Sequence, residues 1–218
     1  MKMALDGACG FFWTVTYLLI IRRGFADKTF GMPLVAIAAN ISWEFTFSVL
    51  RPAPFPRVIA VTWLVLDLVI LYTFLRFGRS EFPRLPGWAF AAMTVGTFIL
   101  AFLGIWYFSL ELDHGAGVYA AYIQNFMMSG LFIAMLLHRN STRGQSSLIA
   151  LTKLIGTALA GSVVLIYVEG RDSPLMTYLV VGIFVLDLIY FIAITMLRRN
   201  ERSAAHAPDL QLARDGSG

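Results

Sequence analysis

Charge and cysteine are what this sequence has little of. Of its 218 residues only 14% are charged and 58% are hydrophobic, whereas a soluble domain usually has about 25% charged residues. The low charge argues against a soluble globular domain and favours apolar segments joined by short polar loops, which is typical of a polytopic membrane protein. The formal net charge of +4 does not indicate nucleic-acid binding, because the basic residues lie at the ends of the apolar segments.

The single cysteine, Cys9, excludes an internal disulfide and any metal or cluster site that needs several cysteines. The N-terminal residues include Lys2 and Asp6 but no small-residue cleavage site ahead of a soluble domain. We therefore expect no cleavable signal peptide.

Seven apolar segments are long enough, or nearly so, to span a membrane as helices, since a bilayer core of roughly 30 Å needs about 20 helical residues. They are 8–21, 33–50, 58–77, 87–109, 117–137, 147–168 and 174–197. Proline, glycine and charged residues in the loops end these helices. The sequence therefore predicts an all-α membrane protein, with a seven-helix transmembrane domain at 1–199 and a disordered cytoplasmic tail at 200–218.

The basic residues predict an orientation in the membrane. The first, third and fifth loops and the C-terminal segment hold 12 lysines and arginines, whereas the N-terminus and the even loops hold 4. Because cytoplasmic loops are enriched in these residues, we expect the N-terminus outside and the C-terminus in the cytoplasm, in the plasma membrane.

A short internal repeat links the third and seventh spans. The run "VLDLVILY" at 65–72 resembles "VLDLIYFI" at 185–192, and both are followed by arginines. The repeat suggests two three-helix units joined by the fourth helix. Chance similarity between two aliphatic runs is the alternative.

Four ionisable residues fall inside the predicted spans: Glu44, Asp67, Lys153 and Asp187. Each is unfavourable at the bilayer centre by on the order of 3 kcal/mol, so each requires an explanation. Lys153 lies about six residues from the start of the sixth span, and we expect its long side chain to reach the interface. The seventh span contains no lysine, which argues against a retinal-binding protein.

The three carboxyl residues lie too deep to reach water, and they share helix faces with other polar and aromatic side chains. Asn40, Glu44 and Ser48 recur at every fourth position of the second span, beside Trp43. Comparable stripes are Trp63 with Asp67, Tyr122 with Asn125 and Ser129, and Asp187 with Tyr190. We therefore expect a central chamber lined by acids, amides and aromatic rings. The alternative is that these groups only join helices through hydrogen bonds worth about 0.6 kcal/mol each.

Such a chamber suits acid chemistry. Burial disfavours a carboxylate anion, so the carboxyl group stays protonated and can act as a Brønsted acid. Aromatic faces can then stabilise the cation that protonation produces. Proton-coupled transport uses the same ingredients, so composition and spacing leave both functions open.

The segment "NISWEF" carries a family resemblance. The chain resembles the small integral-membrane terpene cyclases of fungal meroterpenoid and indole-diterpene pathways, and more closely their bacterial relatives that cyclise farnesylated indole alkaloids of the drimentine type. The resemblance rests on the seven-span layout, on Asn40, Trp43 and Glu44 in the second span, on Asp187 in the last, and on "RRGFADKTFGMP" at 22–33.

This resemblance implies metal-independent, cofactor-free cyclisation of a lipid-soluble prenylated substrate, started by protonation of a terminal epoxide or alkene. Glu44 would be the proton donor, and Asp187 would assist it by hydrogen bonding or accept the final proton. The substrate contacts expected from the chamber come from Asn40, Trp43, Trp63, Asp67, Tyr122, Asn125 and Tyr190. The sequence lacks the "DxDD" motif of soluble protonation-type cyclases and the aspartate-rich magnesium motif of ionisation-type cyclases, in agreement with that expectation.

Two other functions remain as alternatives. A small-solute transporter of three-plus-one-plus-three build would fit the layout, although the chain contains no Pro-Gln dipeptide. An accessory membrane subunit would require the buried acids to be structural. The oligomeric state is open, since Gly156 and Ala160 would permit close helix packing within or between chains.

Overall fold

Helices form nearly all of the structure, a computed structural model that describes residues 1–51, 56–167 and 173–215, with side chains up to Ala204. The α-helices are α1 (Lys2–Ala26), α2 (Leu34–Phe45), α3 (Arg57–Phe77), α4 (Gly87–Asp113), α5 (Val118–Arg139), α6 (Ser147–Tyr167) and α7 (Pro174–Asp215). A π-helical segment (Thr46–Leu50) continues α2, and a 3₁₀ turn (Gly78–Glu81) follows α3. Within these residues there is no strand, and the prediction of an all-α membrane protein is confirmed.

The helix boundaries follow from residues that cannot continue a helix. Pro33, Pro56 and Pro86 immediately precede α2, α3 and α4, because proline lacks the N–H that a helix interior needs but is tolerated at its start.

In the described residues six helices are long and apolar enough to cross a membrane, and Leu34–Leu50 is a shorter apolar helix. Exposed aliphatic side chains such as Leu100 and Val95 on α4 suit contact with lipid.

The helices form a ring in the order α1, α3, α2, α4, α5, α7, α6, which closes where α6 packs against α1. Within the first three helices α3 packs against both α1 and α2, and within the last three α7 packs against both α5 and α6. The two units therefore have the same internal order, and α4 packs against both α2 and α5, which also contact each other. This arrangement agrees with the two three-helix repeats suggested by the sequence.

The C-terminal helix is longer than the sequence indicates. The predicted span ends at 197 and a disordered tail begins at 200, but α7 continues to Asp215. Glutamate, arginine and alanine in this segment are good helix formers, which polarity alone does not reveal. Residues 216–218 lie outside the described residues, and the division of the chain at residue 199 stays a prediction.

One end of the bundle is joined by charged and polar side chains. Glu81 Oε2 accepts a hydrogen bond from Arg139 (2.9 Å), and Glu81 Oε1 accepts from Arg143 (3.3 Å) and from Thr29. These residues tie the loop after α1 to the turn after α3 and to the segment between α5 and α6. We call this set, Thr29, Glu81, Arg139 and Arg143, the polar clasp.

Candidate active site

Two clusters of mostly buried polar residues lie in the bundle, one in each three-helix unit. The first cluster consists of Tyr17 on α1, Asn40 and Glu44 on α2, and Asp67 on α3. The second consists of Asn125 and Ser129 on α5, Lys153 and Thr157 on α6, and Asp187 on α7. Each unit thus contributes polar groups from all three of its helices.

The first cluster is organised around the carboxyl group of Glu44. Tyr17 donates its hydroxyl proton to Glu44 Oε1 at 3.2 Å, and Asn40 Nδ2 donates to the Tyr17 oxygen at 2.8 Å. Glu44 is 2% exposed, and its Oε2 has no hydrogen-bond partner in the described structure. The α-helix gives way to π-helical geometry at Thr46, just after Glu44, and such π segments are frequent at functional sites.

Asp67 adjoins this group from α3. Its side chain is fully buried, and it interacts with Asn40, Glu44 and Tyr17. Neither carboxylate oxygen has a well-formed hydrogen bond within the described residues. No ion pair in that part of the chain involves Glu44 or Asp67, so the first cluster is a pair of carboxyl groups without a cationic partner.

A cavity of about 250 Å³ reaches Glu44 from the end of the bundle that carries the N-terminus. Lys2, Asp6 and Val118 line it near that end, and Glu44 lines it deeper. Its aromatic lining consists of Trp13, Tyr17, Trp43, Trp63 and Tyr122. Much of the remaining wall is apolar, so the cavity is suited to a hydrocarbon chain that ends beside the Glu44 carboxyl group.

Two of the tryptophans are held by hydrogen bonds. Trp43 Nε1 donates to the Gly117 carbonyl at 2.8 Å, and Trp63 Nε1 donates to Thr14 Oγ1 at 3.1 Å. These bonds satisfy the indole N–H groups of the two half-buried tryptophans, and they fix both rings at the cavity.

The structure brings together most of the side chains that the sequence assigns to the site. The cavity is lined by Asn40, Trp43, Glu44, Trp63, Tyr122 and Asn125. Asp67, Asp187 and Tyr190 are not among the lining residues. Tyr190 instead donates to Gln145 Oε1 at 2.9 Å and packs against Phe132, because it lies one turn past Asp187, away from the open end of the cavity.

The prediction that Lys153 reaches the membrane interface is wrong. Its side chain is 0% exposed, and Nζ lies 2.6 Å from Asp187 Oδ1. Lys153 also donates to Ser129 Oγ at 2.8 Å and to Asn125 Oδ1 at 3.3 Å. With a carboxylate and two further oxygens available inside the bundle, the amine does not need water. The signal was present in the sequence, since opposite charges within spans usually pair with one another.

Both carboxylate oxygens of Asp187 accept hydrogen bonds within the second cluster. Its Oδ1 accepts from Lys153, and its Oδ2 accepts from Thr157 at 2.7 Å. Within the described part of the chain no hydrogen bond joins Asp187 to Glu44, so the structure gives no support to direct assistance between them. A role for Asp187 in accepting the final proton stays a prediction.

Sequence reasoning missed Tyr17, which is the hydroxyl donor to Glu44. Tyr17 follows Trp13 by four residues on α1, so the two rings share a helix face and both line the cavity. This aromatic pair was a detectable signal. The first span contains no acidic or basic residue at mid-depth, so buried charge does not mark it.

Comparisons with known proteins agree with one another. The family model described as Pyr4-like transmembrane terpene cyclases matches residues 2–200. The chain is 35% identical over 160 residues to the Pyr4-family terpene cyclase mfmH of Annulohypoxylon moriforme. The aligned region covers 69% of this chain and 64% of that protein. It is 30% identical over 218 residues to the terpene cyclase cle7 of Aspergillus versicolor (93% and 89%) and 28% identical over 217 residues to the terpene cyclase pyr4 of Aspergillus fumigatus (89% and 86%). No solved structure matches the chain.

Proposed function

The chain belongs to the family of Pyr4-like transmembrane terpene cyclases, and from that premise we propose that it cyclises a lipid-soluble prenylated substrate by protonating a terminal alkene or epoxide. The observation that carries the proposal is the placement of Glu44. This carboxyl group lines the cavity, has one oxygen without a partner, and lies among aromatic rings. The relatives named above are all called terpene cyclases, which favours this function over the transporter alternative.

In the proposed reaction Glu44 is the general acid. Its proton forms a new C–H bond at the alkene, or a new O–H bond at the epoxide oxygen, and a carbocation results. The indole and phenol rings around the cavity stabilise that cation through their π faces, and the apolar walls exclude water that would capture it early. Successive ring closures move the charge along the chain until a proton is lost, so the reaction is an isomerisation that needs no cofactor.

The shape of the cavity suggests how the substrate binds. The prenyl terminus lies deep, beside Glu44, Tyr17 and Trp63, and the polar head group lies nearer the mouth, where Lys2 and Asp6 form an ion pair at 3.2 Å. A farnesyl chain on an indole-type head group is the narrower proposal, and it comes from the family resemblance. Asn40 has a positioning role because it holds the Tyr17 hydroxyl.

We also propose an orientation and a location for the chain in the membrane. The arginine-rich polar clasp lies at the end of the bundle opposite the mouth of the cavity, which supports a cytoplasmic clasp and an external N-terminus. The proposed location is the plasma membrane. Reporter fusions at each terminus, active on only one side of the membrane, would test this orientation. Signals from both termini on the same side would contradict it.

The direct test is cyclisation of a linear farnesylated indole in membranes that contain the protein. Glu44→Gln keeps the side-chain volume but removes the proton, and we expect a loss of about 10²- to 10⁴-fold in kcat. Glu111→Gln is the matched control, since Glu111 is exposed on α4, and we expect it to cyclise at the wild-type rate. Wild-type rates from Glu44→Gln would refute the proposal, as would substrate transport in proteoliposomes without any cyclised product.

A further inference from the structure

We propose that Asp67 is a positioning residue that donates a hydrogen bond to Glu44 as Glu44 loses its proton, so that the carboxyl pair shares the resulting negative charge. The inference rests on the proposed function of Glu44 as the acid. It goes further in giving the cyclase a second acid, which substrate in the cavity does not touch.

The geometry separates the two carboxyl groups by role. Glu44 lines the cavity, whereas Asp67, on α3, does not. Tyr17 occupies Glu44 Oε1, and Glu44 Oε2 is left without a partner. Asp67 adjoins Glu44, and both of its own oxygens lack a well-formed hydrogen bond. Asp67 therefore acts on the reaction only through Glu44 and its neighbours.

The absence of a counter-ion determines how many protons the pair must hold. In the described residues neither Glu44 nor Asp67 is in an ion pair. Two adjacent carboxylates in a low-dielectric interior repel strongly, so such a pair titrates as a unit and retains at least one proton. The polar groups of α1, α2 and α3 that face the pair are the Tyr17 hydroxyl and the Asn40 amide, which carry dipoles. Among the described residues of these helices, the two carboxyl groups are the acidic or basic side chains at this position.

The proton balance then closes within one turnover. With no ion-pair partner for either group among the described residues, burial favours the neutral form of both, so in the proposed resting state both carboxyl groups are protonated. The Glu44 O–H bond breaks as the substrate gains the proton, and the Asp67 O–H group donates to the new carboxylate. When the last carbocation forms its alkene, the C–H electron pair becomes the π bond and the released proton returns to Glu44. The pair is restored with no net proton consumed.

The internal repeat contains a second aspartate, Asp187, with which Asp67 can be compared. Asp67 and Asp187 occupy matching positions in "VLDL" on α3 and α7, the third helices of the two units. The second helix of each unit supplies the partner, which is Lys153 on α6 for Asp187 but Glu44 on α2 for Asp67. The same position is thus an ion pair in one unit and an acid pair in the other. Of these two pairs only the acid pair reaches the cavity, because Glu44 lines it whereas Lys153 and Asp187 do not.

The kinetic test uses Asp67→Asn and Asp67→Ala. A hydrogen bond to a charged acceptor changes a rate by about 10- to 100-fold when it forms only as the charge develops. We expect Asp67→Ala to lower kcat by that amount and to leave KM unchanged, because Asp67 does not line the cavity. Asp67→Asn keeps an N–H donor and should recover part of kcat. A wild-type kcat for Asp67→Ala, or a change confined to KM, would overturn the proposal.

A second measurement needs no turnover. Infrared difference spectra of the substrate-free protein, recorded in H₂O and D₂O, report the C=O stretch of protonated carboxyl groups. If the two groups are hydrogen bonded, Asp67→Asn shifts the Glu44 band and Glu44→Gln shifts the Asp67 band. Removal of one band with the other unmoved would overturn the pair even in an active enzyme. Coupled bands in a protein that cyclises no prenylated substrate would instead refute the cyclase function.

Discussion

Lys153 Nζ lies 2.6 Å from Asp187 Oδ1, and both side chains are buried almost completely between α6 and α7. Thr157 and Ser129 satisfy the remaining polar atoms of the pair. A buried ion pair of this kind stabilises little relative to apolar residues of the same volume, but the loss of one partner leaves an uncompensated charge. The ion pair therefore fixes how the helices of the second unit pack. Among the described residues, the buried carboxyl groups of the first unit have no cation that compensates them.

The first prediction concerns that pair. Lys153→Met should destabilise the protein by about 3 to 5 kcal/mol, because it leaves Asp187 buried without its cationic partner. The double variant Lys153→Met with Asp187→Asn should recover much of that loss, since no charge remains unpaired. Thermal unfolding in detergent measures both. Equal destabilisation of the single and double variants would contradict an ion pair of this type.

The second prediction concerns Tyr17. Tyr17→Phe removes the hydroxyl that donates to Glu44 and accepts from Asn40. We expect kcat to fall by about 10-fold, the effect of one hydrogen bond to a group that becomes charged. Tyr72→Phe is the control, because Tyr72 is 53% exposed on the lipid side of α3. If both variants keep the wild-type kcat, Tyr17 has no part in positioning Glu44.

The third prediction concerns the aromatic wall. Trp63→Phe and Trp63→Leu both lose the hydrogen bond to Thr14, so their difference isolates the π face. A cation–π contact is worth about 0.5 to 2 kcal/mol, which predicts roughly a 2- to 30-fold lower kcat for the leucine variant than for the phenylalanine variant.

The matched control for the third prediction is Trp88→Leu, a residue that is 76% exposed at the start of α4. Product analysis by mass spectrometry, run beside the rates, should show more partly cyclised or water-captured product from Trp63→Leu. Identical rates and products from the two Trp63 variants would show that the ring does not stabilise a cation.

The fourth prediction concerns the polar clasp. Glu81 is the shared acceptor for Arg139, Arg143 and Thr29, and Arg139 is mostly buried. Glu81→Gln should lower the free energy of unfolding by about 1 to 3 kcal/mol, because the arginine keeps its charge without a carboxylate. The folded fraction should retain wild-type KM, since the clasp lies at the end of the bundle away from the cavity mouth. A change in KM without a loss of stability would contradict this separation.

Much of the fold was accessible from sequence patterns. Prolines 33, 56 and 86 mark helix starts, and the seven apolar segments correspond to α1–α7. The duplicated "VLDL" run anticipated the matching order of the two three-helix units. The predicted last span ends at 197, whereas α7 continues to Asp215, because a polar segment can still be helical when its residues have high helix propensity.

The site was accessible only in part. Glu44 could be singled out because a carboxyl group within a span is unfavourable unless it has a role, and its face of α2 does line the cavity. Asp67 and Tyr190 were grouped with the cavity residues because they share a helix face with residues near the site. Helix periodicity states which residues share a face, but it does not state which neighbouring helix that face meets.

The sequence by itself determined that the chain is a bundle of membrane helices with four ionisable residues inside its spans, because hydropathy and helix period are local properties. Only the tertiary structure decided how those four groups are paired. Lys153 meets Asp187, 34 residues away in the chain, and Glu44 meets Asp67 with no cation between them. Contacts of a few ångströms depend on which helices become neighbours and how each is rotated, and both are consequences of packing the whole ring.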